Sequence, residues 1–177
     1  VVVKILTSEP GLYGLGCATF TQRPMAVASA IKDYLRPFVI GRDVDRIEDI
    51  LQAVSVSSYW RDGPALNNAL SGIDEALWDI KGKRANMPVY QLLGGKCREA
   101  VPVYVHASGA DAKEVVEKAQ AFMEQGYRYV RCQMAIPGLS TYGSRGGKVI
   151  KALNPAQQRT FEPTPYTRRI PALFEQL

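Results

Sequence analysis

Few residues in this 177-residue chain have types and spacing suited to chemistry. His106 is the only histidine, and it lies at the end of an apolar stretch, Val101–Ala107. A single histidine suits proton transfer or a hydrogen bond to a ligand, though a lone one is more often structural. Cys17, Cys97 and Cys132 are odd in number and form no C-x-x-C pair, so neither a disulfide framework nor a zinc site is expected. A reducing, cytoplasmic compartment fits that pattern. Cys17 is expected to be a small buried side chain and not a nucleophile. The net charge of +5 is concentrated: residues 128–169 hold eight Lys/Arg against one acid, Glu162. Such a segment attracts anions, either nucleic acid or small carboxylates. Its aromatics, Tyr129, Tyr142, Phe161 and Tyr166, are too dispersed for a base-stacking platform, so a small anionic ligand is expected and nucleic acid is not.

The elements that must position these residues read in two blocks. Val1–Leu6 and Leu12–Thr19, joined by Ser8-Glu9-Pro10-Gly11, form a β-hairpin pattern. Met25–Leu35 reads as a helix, with Pro24 at its start and Pro37 as its stop. Ile47, Ile50, Leu51 and Val54 mark a second helix. Leu66, Leu70, Ile73, Leu77 and Ile80 mark a third, from about Pro64 to Ala85, which Asn86 and Pro88 can end. Leu92-Leu93-Gly94-Gly95 is a plausible boundary. Beyond it, Val101–Ala107 and Arg128–Gln133 read as strands flanking a helix that opens at Asp111-Ala112-Lys113-Glu114, a capping-box pattern, and ends at Gly126. A strand–helix–strand unit implies parallel strands and a right-handed crossover. Residues 134–165 show no sustained period and read as a long loop of the kind that covers a site. No apolar run reaches the ~18 residues of a membrane span. No signal peptide is visible, and with no initiator Met the natural start is expected to lie upstream.

Several of these stretches carry a family resemblance. Tyr59-Trp60-Arg61-Asp62-Gly63-Pro64, Ile73-Asp74-Glu75-Ala76-Leu77-Trp78-Asp79-Ile80-Lys81-Gly82-Lys83 and Pro88-Val89-Tyr90-Gln91-Leu92-Leu93-Gly94-Gly95 resemble the capping domain of acid-sugar dehydratases of the enolase superfamily. Val103–Gly109 and Val130–Gln133, followed by Ile136–Gly143, resemble the first two barrel strands of its mannonate dehydratases. The resemblance implies an α+β capping domain over residues 1–95. It implies that residues 96–177 begin a (β/α)8 barrel of the α/β class, cut short at Leu177. Asp74, Trp78 and Asp79 are expected to pack the scaffold and not to act on substrate.

The second-strand Lys-x-Lys base common in the superfamily is absent here. The family resembled uses an Arg on that strand with a Tyr in the following loop, which Arg131 and Tyr142 match. The chemistry gives that pair a reason. Removing a proton alpha to a carboxylate needs a strong base, and a free Tyr at pKa ~10 is mostly protonated. A neighbouring cation favours the phenolate, and Arg supplies one without competing for the proton. The resemblance further implies that His106 contacts substrate and that Mg2+ is the cofactor, with metal ligands expected beyond Leu177. It also implies a homo-oligomer. Thr21 stands where the family has a substrate-contacting Asn, and Cys17 where it has an Asp. The implied activity is dehydration of a D-mannonate-like sugar acid to a 2-keto-3-deoxy acid. A gluconate or galactonate dehydratase, or a weakly catalytic sugar-acid-binding relative, remains open. The 177 residues alone are expected to be inactive.

Overall fold

The computed structural model describes residues 1–21, 23–57, 59–134 and 164–177, leaving aside the side chains of Pro165 and Tyr166. The chain divides into two compact units, Val1–Glu99 and Ala100–Leu177.

In the first unit, β1 (Val2–Leu6) and β2 (Tyr13–Cys17) pair antiparallel, Val3 opposite Gly16 and Ile5 opposite Gly14. The turn is held by Thr7, whose hydroxyl accepts from the Glu9 amide at 3.1 Å and donates to the Leu12 carbonyl at 3.0 Å. The hairpin lies on α4 (Pro64–Ala85), a 22-residue helix about 33 Å long. Buried Ala69, Gly72, Ile73, Ala76, Leu77 and Ile80 form one helical stripe along it. Where β2 crosses that stripe the two backbones nearly touch. A Cβ on Gly14 would sit 1.8 Å from the Ala76 carbonyl oxygen, and one on Gly16 would sit 1.9 Å from that of Gly72.

The outer edge of β2 is closed by charged side chains of α4. Glu75 accepts from the Cys17 amide at 2.7 Å, Asp79 accepts from the Leu15 amide at 2.9 Å, and Lys83 donates to the Tyr13 carbonyl at 2.8 Å. The three are spaced i, i+4, i+8 on the helix and meet every second strand residue. Four helical residues advance about 6.0 Å and two strand residues about 6.8 Å, so the periods nearly match over this length. An edge strand exposing bare amides invites pairing with other chains, and this ladder removes that hazard.

Pro37 does not end the first helix, contrary to the sequence expectation. The chain runs through α1 (Pro24–Ser29), a π-helical stretch (Ala30–Leu35) and α2 (Arg36–Val39). The Arg36 amide bonds back to the Ile31 carbonyl, five residues away. A proline ring clashes with the carbonyl four residues earlier. The wider π turn just before Pro37 provides room for it, so the helix continues to Val39. With α3 (Ile47–Val56) these elements bury Val27, Leu35, Ile47, Ile50 and Val54 against Ile73 and Leu77. Asn86 ends α4 in the left-handed conformation at φ 50°. The Met87 amide returns to the Gly82 carbonyl, and a short α5 (Val89–Leu92) follows, which the sequence reading lacked.

In the second unit, β3 (Val105–Gly109) and β4 (Val130–Met134) are parallel and flank α6 (Ala112–Glu124). Both strands begin later than expected from sequence, since Val101–Tyr104 precede the paired region. Asp111 caps α6 by accepting from the Glu114 amide at 2.9 Å. Glu114 reaches back to the Ala110 amide at 2.7 Å, one residue earlier than in the usual reciprocal box. The far end closes on Gly126 at φ 91°, with the Tyr127 amide bonded to the Phe122 carbonyl and the two rings edge-to-face. A further helix, α7 (Thr164–Phe174), begins at the end of the predicted loop, runs through residues that the sequence reading left unassigned, and carries Pro171 within it. Its Leu173 is buried with Ala107, Val115 and Ala119. Of the predicted loop, Met134 belongs to β4 and Thr164 to α7; residues 135–163, Tyr142 among them, lie outside the described residues.

Candidate active site

The two-residue period of a strand decides which side chains of β3 and β4 can meet a ligand. Ala107, Val130, Cys132 and Met134 pack toward α6 and its cluster. The intervening residues therefore share the opposite face. Register then makes neighbours of two sequence candidates: His106 is the direct partner of Arg131, and Ser108 of Gln133. Adjacent strands lie about 4.8 Å apart, so the imidazole and guanidinium rise side by side. Both are exposed. The Tyr104 ring stacks on His106 with centroids 5.2 Å apart and 26° between planes, which orients the imidazole. The face thus offers a permanent cation beside a group able to donate or accept a proton. Cys132 points the other way, and burial pushes its thiol up, away from the reactive thiolate range.

Tyr142 lies outside the described residues, and the other sequence candidates belong to the first unit. Thr21 is exposed in the turn after the hairpin. Cys17 is exposed and not buried as expected. Gly14, Gly16 and Ala18 take the positions that face α4, so alternation turns Cys17 outward, its sulfur 2.7 Å from the Thr19 hydroxyl.

The acids of the long motif serve the scaffold, with opposite electrostatics. Burial would raise Asp79, but hydrogen bonds from Lys83 and the Leu15 amide, with the Lys83 charge, hold it below the ordinary 3.8. Burial and the charges of Glu48 and Glu75 raise Asp74 against a hydrogen bond from Trp78, and its Oδ1 is buried without a partner among the described residues. A depressed carboxylate contributes stability above its unfolded pKa and loses it as pH falls through the folded value. A raised one contributes below its unfolded pKa and loses it as pH rises. Asp79→Asn is therefore expected to lower the melting temperature at pH 7, and Asp74→Asn to raise it. The Asp74 difference should narrow as pH falls toward 3.8, and the Asp79 difference only as pH falls below it. Melting followed by circular dichroism from pH 7 to below pH 3 checks this; shifts of the same sign at pH 7 would refute the assignment.

Among the described residues, no group of three His, Cys, Asp or Glu side chains is placed to hold a metal ion. No described helix is long and apolar enough to cross a membrane.

These features define the class: a glycine-stranded α+β unit followed by a parallel β–α–β unit with its polar side chains on the face away from the helix. The N-terminal-domain profile of the mandelate racemase / muconate lactonizing enzyme family matches residues 1–94. The chain belongs to this family of the enolase superfamily, and its first unit is the capping domain. A D-galactonate dehydratase family member from Pantoea ananatis, RspA, is 55% identical over 100% of this chain and 45% of its own length. One from Musicola paradisiaca is 53% identical over 99% of this chain and 45% of its own. The crystal structure of an enolase from Pantoea ananatis with bound D-gluconate and Mg superposes with a TM-score of 0.80. That protein is 53% identical, over 99% of this chain and 45% of its own. The chain thus spans a little under half the length of these relatives.

Proposed function

We propose that the intact protein is a hydro-lyase that dehydrates a sugar acid to a 2-keto-3-deoxy acid. In this reading residues 1–95 cap a (β/α)8 barrel that residues 96–177 begin, in a cytoplasmic homo-oligomer. The observation that carries it is the register pairing of His106 with Arg131 on the face turned away from α6. Supporting it are relatives that bear a D-galactonate dehydratase family name and a similar enolase that holds D-gluconate and Mg.

The chain's own groups have definable tasks. Tyr142, held as phenolate by the Arg131 charge, removes the proton alpha to the carboxylate. The beta hydroxyl then takes a proton from a general acid other than the described residues and leaves as water, and the resulting enol tautomerises to the 2-keto acid. His106 holds a substrate hydroxyl, and Thr21 holds another from the capping domain. Mg2+, held by ligands other than the described residues, would supply positive charge where negative charge develops on the carboxylate.

D-Mannonate is the expected substrate, with D-gluconate and D-galactonate as the alternatives. A screen of acid sugars against the full-length protein with Mg2+, read by 2-keto acid formation, tests the reading. Turnover of at least one is expected. Turnover of none would defeat it in favour of a sugar-acid-binding relative.

A further inference from the structure

We propose that Gln133, supported by Ser108, contacts substrate and reads one hydroxyl of the bound sugar acid; the inference rests on the dehydratase reading of the same face. Gln133 is two residues beyond Arg131 on β4, and Ser108 two beyond His106 on β3. The four side chains form two rungs on one face, with Gln133 and Ser108 nearer the strands' C-terminal ends. Ligands of parallel α/β sheets bind at that end. The opposite face is already filled by Val130, Cys132 and Met134 against α6, so Gln133 has no packing task there.

Its hydrogen-bonding capacity is also mostly unspent. Among the described residues its side chain meets the Ser108 hydroxyl, which donates to Gln133 Oε1 across 3.5 Å, long for an O–H···O bond. Both amide N–H donors and a share of the carbonyl remain available. A neutral amide beside a hydroxyl matches an alcohol, which both donates and accepts, better than it matches a carboxylate. The rung is also held in place, because Lys118 donates to the Ser108 carbonyl at 2.6 Å and pairs with Glu114 on α6. A site that hydrogen-bonds one hydroxyl discriminates strongly against ligands that present it differently.

Calorimetric titration of the full-length protein with Mg2+ and D-gluconate, D-mannonate (its C2 epimer) and D-galactonate (its C4 epimer) tests the proposal without requiring turnover. Gln133→Leu should weaken binding of the preferred epimer about ten-fold and the others much less, so that discrimination collapses. Ser108→Ala should give the same pattern at a few-fold. Melting temperatures should stay at the parent value. Equal weakening of all three epimers, or no weakening by either variant, would overturn the assignment. Binding without turnover would defeat the dehydratase reading and leave this one standing. No binding of any of the three sugars by the parent would overturn this one.

Discussion

Gly16→Ala is expected to cost the first unit about 3 kcal/mol or more, beyond the roughly 1–3 kcal/mol usual for overpacking. The added Cβ would lie 1.9 Å from the Gly72 carbonyl oxygen and 2.9 Å from the Ala76 amide nitrogen. Both are backbone atoms in the middle of a long helix, so no rotamer change can relieve the overlap. Relief requires β2 to lift off α4 by more than an ångström. That motion would stretch the bonds from the Cys17 and Leu15 amides to Glu75 and Asp79. Gly14→Ala meets the Ala76 carbonyl oxygen at 1.8 Å and should behave alike. Gly11→Ala is the control, since nothing lies within 4 Å and only its φ of +82° is strained. It should cost roughly 1–2 kcal/mol. Urea unfolding of the three variants decides the matter: if Gly16→Ala loses no more than Gly11→Ala, the close approach has been misread.

The second large effect is on turnover. Tyr142→Phe should lower kcat by about 10³-fold, within the ~10²–10⁴ range for removing a proton-transfer group. On the proposed mechanism Arg131→Leu should approach the same loss, because a tyrosine without a cation beside it has a pKa of ~10 and forms little phenolate at neutral pH. Arg131→Lys is the informative variant. It keeps the charge but loses the planar fork, so partial activity with an unshifted pH profile is expected. Arg131→Leu should instead recover rate as pH rises, because alkali supplies the phenolate that the cation no longer favours. Profiles of kcat against pH from 6 to 10 distinguish these cases. A flat profile for Arg131→Leu would remove Arg131 from the role of tuning the base.

Much of the fold was legible in the sequence because its signals are local. Asn86 and Gly126 close their helices in left-handed conformations that few residues adopt, and Asp111 caps α6 through a contact three residues away. The 22-residue span of α4 followed from its apolar spacing between Pro64 and Asn86. Other features left no local trace. The π stretch lets the helix run on past Pro37, and the residues around that proline do not say whether it ends the helix or is absorbed by a wider turn. Helix α7 has Pro171 within it, and among its described side chains Leu173 is the one that is buried. Cys17 misled because burial of a strand residue depends on which face the pleat gives it.

By itself, then, the sequence determined the family, the hairpin, the helices with strong caps and the residue types available for chemistry. Each follows from motifs or from backbone preferences acting over a few residues. The tertiary structure decided which groups meet. The bonds joining β2 to α4 link residues 58, 64 and 70 positions apart, a distance at which no periodicity in either segment names the partner. The pairing of His106 with Arg131 is a matter of register. A slip of one residue would send one of the two to the helix-packed face, and the apolar contacts of Ala107 and Cys132 with α6 are what forbid it.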